Sequence, residues 1–194
     1  YFFEGNIIYH CLKNLESNDN LFIGNSLPIR DLDKYCSNMD KKINIYANRG
    51  ASGIDGLIST ALGMSYANHS SRNLLILGDV SFFYDVNALQ LIKNYNFNLS
   101  IVIINNNGGQ IFSTLPYAKE NIKGFQEFWT TPVNLSIKDA SNLYKINYYN
   151  FESIDDINKK MRNTLNKPGI NLIEIACDYN KTLEIESKIN KSLV

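Results

Sequence analysis

The chain alternates between short apolar runs and longer stretches in which apolar residues recur at helical spacing. The runs are rich in Leu, Ile and Val, as expected for strands that are buried on both faces of a parallel sheet. Strands are predicted at residues 21–26, 43–48, 74–77, 101–104, 146–151 and 170–177. Helices are predicted around residues 4–15, 30–36, 52–68, 86–95, 136–146 and 153–165. This alternation predicts one doubly wound α/β domain, with a mainly parallel sheet and helices on both of its faces.

Oxygen-bearing side chains follow the third and fourth predicted strands. Asp79 comes just after the third strand, and Asn106 comes just after the fourth. A predicted crossover helix joins the two strands, so both residues should lie at the carboxyl edge of the sheet, where open α/β sheets bind ligands. Carboxylate and amide oxygens suit Mg²⁺, which keeps phosphate oxygens in its remaining positions. A backbone carbonyl near Gly108 or Gly109 is a candidate third ligand, because glycine permits close approach.

The same two segments have a simpler interpretation when each is taken alone. Gly-Asp pairs and Asn runs are typical of turns, and Asn is so common in this chain that three in succession are weak evidence. The pair is more specific, since each member follows a buried strand. Ser81, near the start of the next helix, is placed to donate to a phosphate oxygen beside free backbone N–H groups.

The loop 48–56 is the second candidate site. It follows a strand, contains three glycines and Ser52, and leads into a helix, so its N–H groups could face an anion. A helix N-cap at Ser52 is an equally good interpretation. Arg49 suggests a clamp for carboxylate or phosphate, because its guanidinium binds such groups through two oxygens. Arg30 repeats this pattern after the first strand, although a surface charge explains it better on sequence grounds alone.

Composition limits the classes of partner and the compartment. Lys plus Arg equals Asp plus Glu at 19 each, which argues against a nucleic-acid or membrane-surface partner. No apolar run reaches transmembrane length, so membrane insertion is not expected. Cys11, Cys36 and Cys177 fit neither a disulfide framework nor a CxxC metal site, and we expect a reducing, cytoplasmic location. Because residue 1 is Tyr rather than Met, we expect a piece of a longer polypeptide.

Four motifs together resemble the diphosphate-binding domain of thiamine-diphosphate enzymes. In chain order they are GNSLPIR, ANRGASGIDGL, GDVSFFYDVNAL and NNNGGQIFSTLP, between Gly24 and Pro116. Val80 stands where the family usually has the last glycine of a Gly-Asp-Gly signature, and this departure narrows the resemblance to synthases of the menaquinone pathway. The resemblance implies a single diphosphate-binding domain over 1–194, with pyrimidine-binding and middle domains upstream.

The resemblance assigns roles in holding the cofactor, thiamine diphosphate with Mg²⁺ or Mn²⁺. Asp79, Asn106 and the backbone carbonyl of Gly108 match the metal ligands of the family. Ile54 matches the bulky apolar residue that keeps the cofactor bent. The other positions that match cofactor contacts are Ser52, Gly53, Gly78, Val80, Ser81 and Gly109.

The resemblance also assigns the substrate side of the site. Ser26 and Arg30 match positions that hold the distal carboxylate of 2-oxoglutarate, and Arg49 matches a basic residue that binds acidic substrate groups. Ile111 and Phe112 match apolar residues beside the reacting carbon. For Phe112, packing in the hydrophobic core is an alternative.

The activity that the resemblance implies is that of a transferase. It is the decarboxylation of 2-oxoglutarate and the conjugate addition of the succinyl-semialdehyde carbanion to isochorismate, in menaquinone or phylloquinone biosynthesis. The alternatives are another thiamine-diphosphate decarboxylase or carboligase, such as an acetolactate synthase relative, and a non-catalytic domain that keeps the fold. In the family, a pyrimidine-binding domain of a neighbouring subunit supplies an essential glutamate. We therefore expect this segment alone to be inactive, and the full protein to be a homodimer or homotetramer.

Overall fold

The computed structural model describes residues 1–120 and 122–192, so the predicted domain bounds of 1–194 include three residues outside the described part. The helices are α1 (Glu4–Lys13), α2 (Leu27–Tyr35), α3 (Leu57–Ala67), α4 (Asp79–Tyr84), α5 (Ile137–Tyr144), α6 (Ile154–Leu165) and α7 (Tyr179–Ser192). The strands are β1 (Asn20–Ile23), β2 (Asn44–Tyr46), β3 (Asn73–Gly78), β4 (Asn98–Asn105), β5 (Asn147–Asn150) and β6 (Gly169–Ala176). Short 3₁₀ or π turns lie at Val86–Lys93, Gln110–Thr114, Pro116–Lys119 and Gln126–Thr130.

All six strands pair in parallel and form one sheet in the order β2-β1-β3-β4-β6-β5. The predicted doubly wound α/β fold is therefore confirmed. The chain leaves β1 toward β2 and then returns to place β3 on the other side of β1. This reversal opens a crevice between the carboxyl ends of β1 and β3, which is where ligands bind in open α/β sheets.

Two apolar layers cover the faces of the sheet, and this explains why central strands such as β3 carry apolar residues at successive positions, whereas the edge strand β2 is exposed. Successive residues of a strand point to opposite faces. Leu74 and Ile76 belong to the layer with α1, α2 and α6, whereas Leu75 and Leu77 belong to the layer with α3 and α5. Each such side chain is fully buried and contributes about 1.5–3 kcal/mol relative to an exposed one.

The predicted start of the third helix is wrong. That helix was expected from residue 52, but α3 begins at Leu57, and Gly56 before it has a φ of 70° in the left-handed region. Ser52 is therefore not a helix N-cap. Instead, the carboxylate of Asp85 caps α3 from outside, because it accepts hydrogen bonds from the backbone N–H of Ser59 at 2.7 Å and from its hydroxyl. The predicted crossover helix 86–95 is also wrong. The connection consists of α4, which ends at Tyr84, followed by a 3₁₀ segment at Val86–Lys93.

The helix α7 was not predicted, and it contacts α2. Its Glu186 accepts a hydrogen bond from the hydroxyl of Tyr35 at 2.7 Å. The three cysteines are free and buried in the same apolar layer. Burial raises the pKa of Cys36 and of Cys177 to about 11, so these thiols stay protonated near neutral pH. None of the described helices combines the length and apolarity that a bilayer crossing requires.

Candidate functional site

A cavity of about 290 Å³ lies at the crevice between β1 and β3 and extends to the end of β4. Eleven of the fifteen predicted site residues line it. They are Ser26, Ile54, Gly78, Asp79, Val80, Ser81, Asn106, Gly108, Gly109, Ile111 and Phe112. Arg30, Arg49, Ser52 and Gly53 are not among its lining residues. The strand ends thus bring together segments that are more than fifty residues apart in sequence.

Asp79 is the buried acid of this cavity. It is the first residue of α4, directly after β3, and its side chain is only 2% exposed. Its Oδ2 accepts a hydrogen bond of 2.8 Å from the backbone N–H of Gly108. Burial raises the pKa of Asp79 to about 6, although hydrogen bonds from the N–H groups of Val80 and Gly108 act in the opposite direction.

The three consecutive asparagines have three different environments. Asn105 donates to Glu174 on β6 at 2.8 Å, so it fixes two strands to each other. Asn107 has a φ of 59° and is exposed, which makes it the turn residue. Asn106 lines the cavity, and its Nδ2 donates to Oε1 of Glu4 at 3.0 Å. The Oδ1 of Asn106 is buried and has no hydrogen-bond partner among the described residues.

Gly108 occupies a position that only glycine fits. Its φ is 126°, and an added Cβ would lie 2.3 Å from the carbonyl oxygen of Thr130. The same oxygen accepts the N–H of Gly109 at 2.6 Å, so the segment at 126–131 closes over the glycine pair. The carbonyl of Gly108 accepts the N–H of Gln110 at 2.9 Å and keeps a second lone pair for another partner.

These oxygen atoms fit a divalent cation such as Mg²⁺. A buried oxygen without a partner is unusual, since most buried polar atoms are hydrogen-bonded. Asn106 supplies such an oxygen, Asp79 supplies a buried carboxylate, and Gly108 supplies a carbonyl with spare capacity. The described residues contain no cluster of three or more His, Cys, Asp or Glu that would hold a metal by itself. A cation here would take its remaining ligands from water or from a bound molecule, as Mg²⁺ does with waters and phosphates.

The substrate side of the site is formed by the start of α2. Ser26 lines the cavity and has a φ of 76°, a strained conformation for a residue with a side chain. Arg30 lies one turn further along the helix, is exposed, and donates to the carbonyl oxygen of Ser26. Its guanidinium is thus held by the residue that was expected to act with it.

Asn25, which was not among the predicted site residues, organises the loop 48–56. Its Nδ2 donates to the carbonyl of Gly53 at 2.7 Å and to that of Asn48 at 3.1 Å. Its Oδ1 accepts from Arg49 at 2.8 Å. Asn25 lines the main cavity, whereas Arg49 and Gly53 line a separate hollow in the loop. Ser52 is exposed and lies near the carbonyl of Arg49.

Aromatic side chains form part of the cavity lining. Phe112 packs edge-on against Trp129 with 5.6 Å between the ring centres, and Phe128 also lines the cavity. Phe112 is 38% exposed, so it is not a core residue. Trp129 was missed at the level of sequence, although it is the only tryptophan of the chain. Trp129 lies in the π turn Gln126–Thr130, for which the sequence shows no periodicity to interpret.

Glu4 was also missed. It lines the cavity from the start of α1, and its side chain is only 2% exposed. Burial raises its pKa to about 7. The hydrogen bond from Asn106 lowers this pKa, and the nearby charges of Glu186 and Asp79 raise it. The sequence did contain one signal for Glu4 as a buried site residue, because it is an acid within the largely apolar stretch YFFEGNII.

Comparisons with known proteins identify similar chains. A family model described as "Thiamine pyrophosphate enzyme, C-terminal TPP binding domain" matches residues 33–175. The 2-succinyl-5-enolpyruvyl-6-hydroxy-3-cyclohexene-1-carboxylate synthase of Listeria welshimeri is 42% identical over 187 residues, which are 96% of this chain and 31% of that protein. The protein of the same name from Staphylococcus epidermidis is 38% identical over 98% of this chain and 33% of its own. This chain therefore spans about a third of the length of these relatives.

The fold also has a close match among solved structures. The Rhodococcus jostii RHA1 thiamine diphosphate-dependent 4-hydroxybenzoylformate decarboxylase superposes with a TM-score of 0.74, over 91% of this chain and 33% of that one. The sequence identity is 16%, so this likeness concerns the fold alone.

Proposed function

Since this chain belongs to the thiamine pyrophosphate enzymes and comprises their C-terminal TPP-binding domain, we propose that it is part of a 2-succinyl-5-enolpyruvyl-6-hydroxy-3-cyclohexene-1-carboxylate synthase. Relatives that bear this name are about 40% identical over nearly the whole chain. Because the chain spans about a third of their length, we propose that pyrimidine-binding and middle domains precede it in the full polypeptide.

The metal site is proposed to consist of Asp79, the Oδ1 of Asn106 and the carbonyl of Gly108, with Mg²⁺ or Mn²⁺ bound. The single observation that carries this proposal is the buried Oδ1 of Asn106, which has no hydrogen-bond partner within residues 1–120 and 122–192 and lies at the end of the strand next to Asp79. A cation would give this oxygen its missing partner and would neutralise the buried carboxylate of Asp79. The diphosphate would complete the coordination beside the N–H groups of Val80 and Ser81.

Thiamine diphosphate, when bound, supplies an electron sink for the loss of carbon dioxide from a 2-oxo acid. The contribution of this chain is a shaped apolar wall. Ile54, Ile111 and Phe112 line the cavity and limit the access of water to it. A water-poor site favours the loss of a charged carboxylate, because the negative charge is poorly solvated there.

The proposed substrates are 2-oxoglutarate and isochorismate, which both carry carboxylates. Arg30 is exposed and donates one hydrogen bond to the carbonyl of Ser26, a residue that lines the cavity. Its other N–H donors are proposed to bind the distal carboxylate of 2-oxoglutarate. Arg49 is held by Asn25, which itself lines the cavity. Arginine suits this task because it stays charged and binds two oxygens at once.

The complete enzyme is proposed to be a cytoplasmic homodimer or homotetramer. The pyrimidine-binding domain of a neighbouring subunit would supply the glutamate that activates the cofactor, as in the family. Tyr84 and Phe128 line the cavity and are largely exposed, so both side chains would be available for contact with such a partner. Residues 1–194 alone should accordingly release no carbon dioxide from 2-oxoglutarate with cofactor and Mg²⁺ present.

The test is a substrate comparison with the full-length enzyme. It should consume 2-oxoglutarate and isochorismate together, with Mg²⁺ and thiamine diphosphate present, and should leave pyruvate largely untouched. Faster release of carbon dioxide from pyruvate than from 2-oxoglutarate would contradict the proposal and indicate an acetolactate synthase relative. The absence of thiamine diphosphate binding in calorimetry would indicate a non-catalytic domain.

A further inference from the structure

Glu4 forms a contact that the proposed chemistry does not use. It lies 102 positions before Asn106, and its Oε1 accepts the Nδ2 hydrogen of that residue at 3.0 Å. Its side chain is buried in the cavity floor at the start of α1. The contact therefore joins the first helix of the chain to the end of β4, at the residue whose other side-chain atom has no partner.

The contact decides which end of the amide faces the cavity. The two ends of an asparagine amide have nearly the same shape but opposite hydrogen-bonding character, since Nδ2 donates and Oδ1 accepts. If the amide of Asn106 were rotated by half a turn, its Oδ1 would face the carboxylate oxygen of Glu4. Two acceptors would then face each other, and an N–H group would point at the metal position. A bond from Nδ2 to Glu4 disfavours this arrangement.

The burial of Glu4 carries a free-energy cost that its surroundings do little to offset. Among the described residues it has no salt bridge, and its hydrogen bond comes from a neutral amide. The charged groups that act on it, Glu186 and Asp79, are both acidic. A buried carboxylate without a cation partner is unfavourable. A divalent cation bound beside Asp79 would supply the positive charge that this part of the structure otherwise lacks.

We propose that Glu4 is a positioning residue that holds the Oδ1 of Asn106 toward the metal ion. The inference rests on the proposed function, because it presupposes the metal site of Asp79, Asn106 and Gly108. Outer groups that orient metal ligands typically change metal affinity by about 10–100-fold when they are removed. Glu4 would act on affinity through Asn106 and would not touch the metal.

The experiment measures Mn²⁺ affinity by electron paramagnetic resonance in the full-length enzyme, with inorganic diphosphate present. Glu4→Leu should weaken Mn²⁺ binding by about 10–100-fold. Glu4→Gln keeps the shape of the side chain but can present either an oxygen or an N–H to Asn106, so its affinity should lie between that of Glu4→Leu and that of the parent. Weaker Mn²⁺ binding by Glu4→Gln than by Glu4→Leu would overturn the inference, because loss of the partner of Asn106 would then not be the cause. If Glu4→Leu does not fold, the smaller Glu4→Ala replaces it with the same expectation.

Asn106→Asp provides the decisive background, because both ends of an aspartate are oxygens and orientation no longer matters. In this background Glu4→Leu should leave Mn²⁺ affinity unchanged or raise it. A loss as large as in the parent would show a merely structural effect and overturn the inference.

The matched control is Glu186→Leu, which removes another nearby acid that does not contact Asn106. If both Glu4→Leu and Asp79→Ala leave Mn²⁺ binding intact, the proposed metal site itself is wrong. If only Glu4→Leu has no effect, the site stands and this inference fails.

Discussion

The backbone N–H of Gly108 donates a 2.8 Å hydrogen bond to the carboxylate of Asp79, and the bond is buried. It joins the loop after β4 to the first residue after β3, so the ends of two adjacent strands are held together before any ligand arrives. The carbonyl of Gly108 is thereby also held close to Asp79. Such preorganisation is what a tightly held metal site requires, because less order has to be created on binding.

Asp79→Ala should abolish the metal site. The substitution removes the only ionised ligand of the proposed set, so Mn²⁺ affinity should fall by more than about 100-fold, beyond the range for outer groups. Electron paramagnetic resonance with inorganic diphosphate present measures this affinity. Asn105→Ala is the matched control, since the amide of Asn105 bonds Glu174 instead. A comparable loss of Mn²⁺ affinity in Asn105→Ala would contradict the assignment of Asn106, rather than Asn105, to the metal site.

Gly108→Ala should destabilise the domain. The φ of 126° disfavours any side chain, and the new Cβ would collide with the carbonyl oxygen of Thr130. We expect a loss of about 1–3 kcal/mol in the free energy of unfolding, measured in urea on residues 1–194. Gly63→Ala is the control, because Gly63 lies within α3 and nothing is within 4 Å of its added Cβ. That change should stabilise by about 0.5–1 kcal/mol.

Arg30→Ala should impair the use of 2-oxoglutarate more than the binding of cofactor. Loss of charged hydrogen bonds of about 1.5–3 kcal/mol corresponds to a rise of about 10- to 100-fold in the KM for 2-oxoglutarate. The Kd for thiamine diphosphate, measured by calorimetry, should change little. Lys34→Ala removes another cation from α2 that pairs with Glu186 instead, and it should leave both constants unchanged. Equal losses in KM and in cofactor affinity for Arg30→Ala would argue against the clamp.

Asp31→Asn should change how stability depends on pH. Burial raises the pKa of Asp31 from 3.8 to about 8. The nearby acids Glu4 and Glu186 also contribute to this rise in pKa, and Lys34 opposes it. The folded state therefore holds a proton that the unfolded state releases between about pH 4 and pH 8, so this group lowers stability as pH rises through that range. In Asp31→Asn the free energy of unfolding should fall less steeply with pH than in the parent. The variant should therefore become more stable relative to the parent as the pH rises from about 4 to about 8.

Urea unfolding of residues 1–194 at several pH values measures the effect of Asp31→Asn. Asp33→Asn is the control, because Asp33 lies on the same helix but is exposed. It should leave the slope unchanged. If Asp31→Asn is no more stable relative to the parent at pH 8 than at pH 4, the carboxylate is not buried as described.

Much of the site could be predicted from local pattern. Continuous apolar runs indicated parallel strands, and Asp79 and Asn106 were placed at the carboxyl ends of two of them. The prediction succeeded because a strand, a helix and a parallel strand close a βαβ unit in one favoured way. The start of α3 was predicted wrongly, because Gly56 adopts a left-handed conformation that the helical pattern around it does not reveal.

The sequence by itself determined the fold class and the edge of the sheet at which the site lies, because both follow from periodicity and from the direction of parallel strands. Only the tertiary structure decided that Glu4 holds Asn106, that Asn105 bonds Glu174, and that Arg30 is turned toward Ser26. These contacts are hydrogen bonds made by side chains, and which partner a side chain takes depends on the groups that the fold brings near it. The partner of Asn106 lies 102 positions away, and no local pattern reports a contact over that distance.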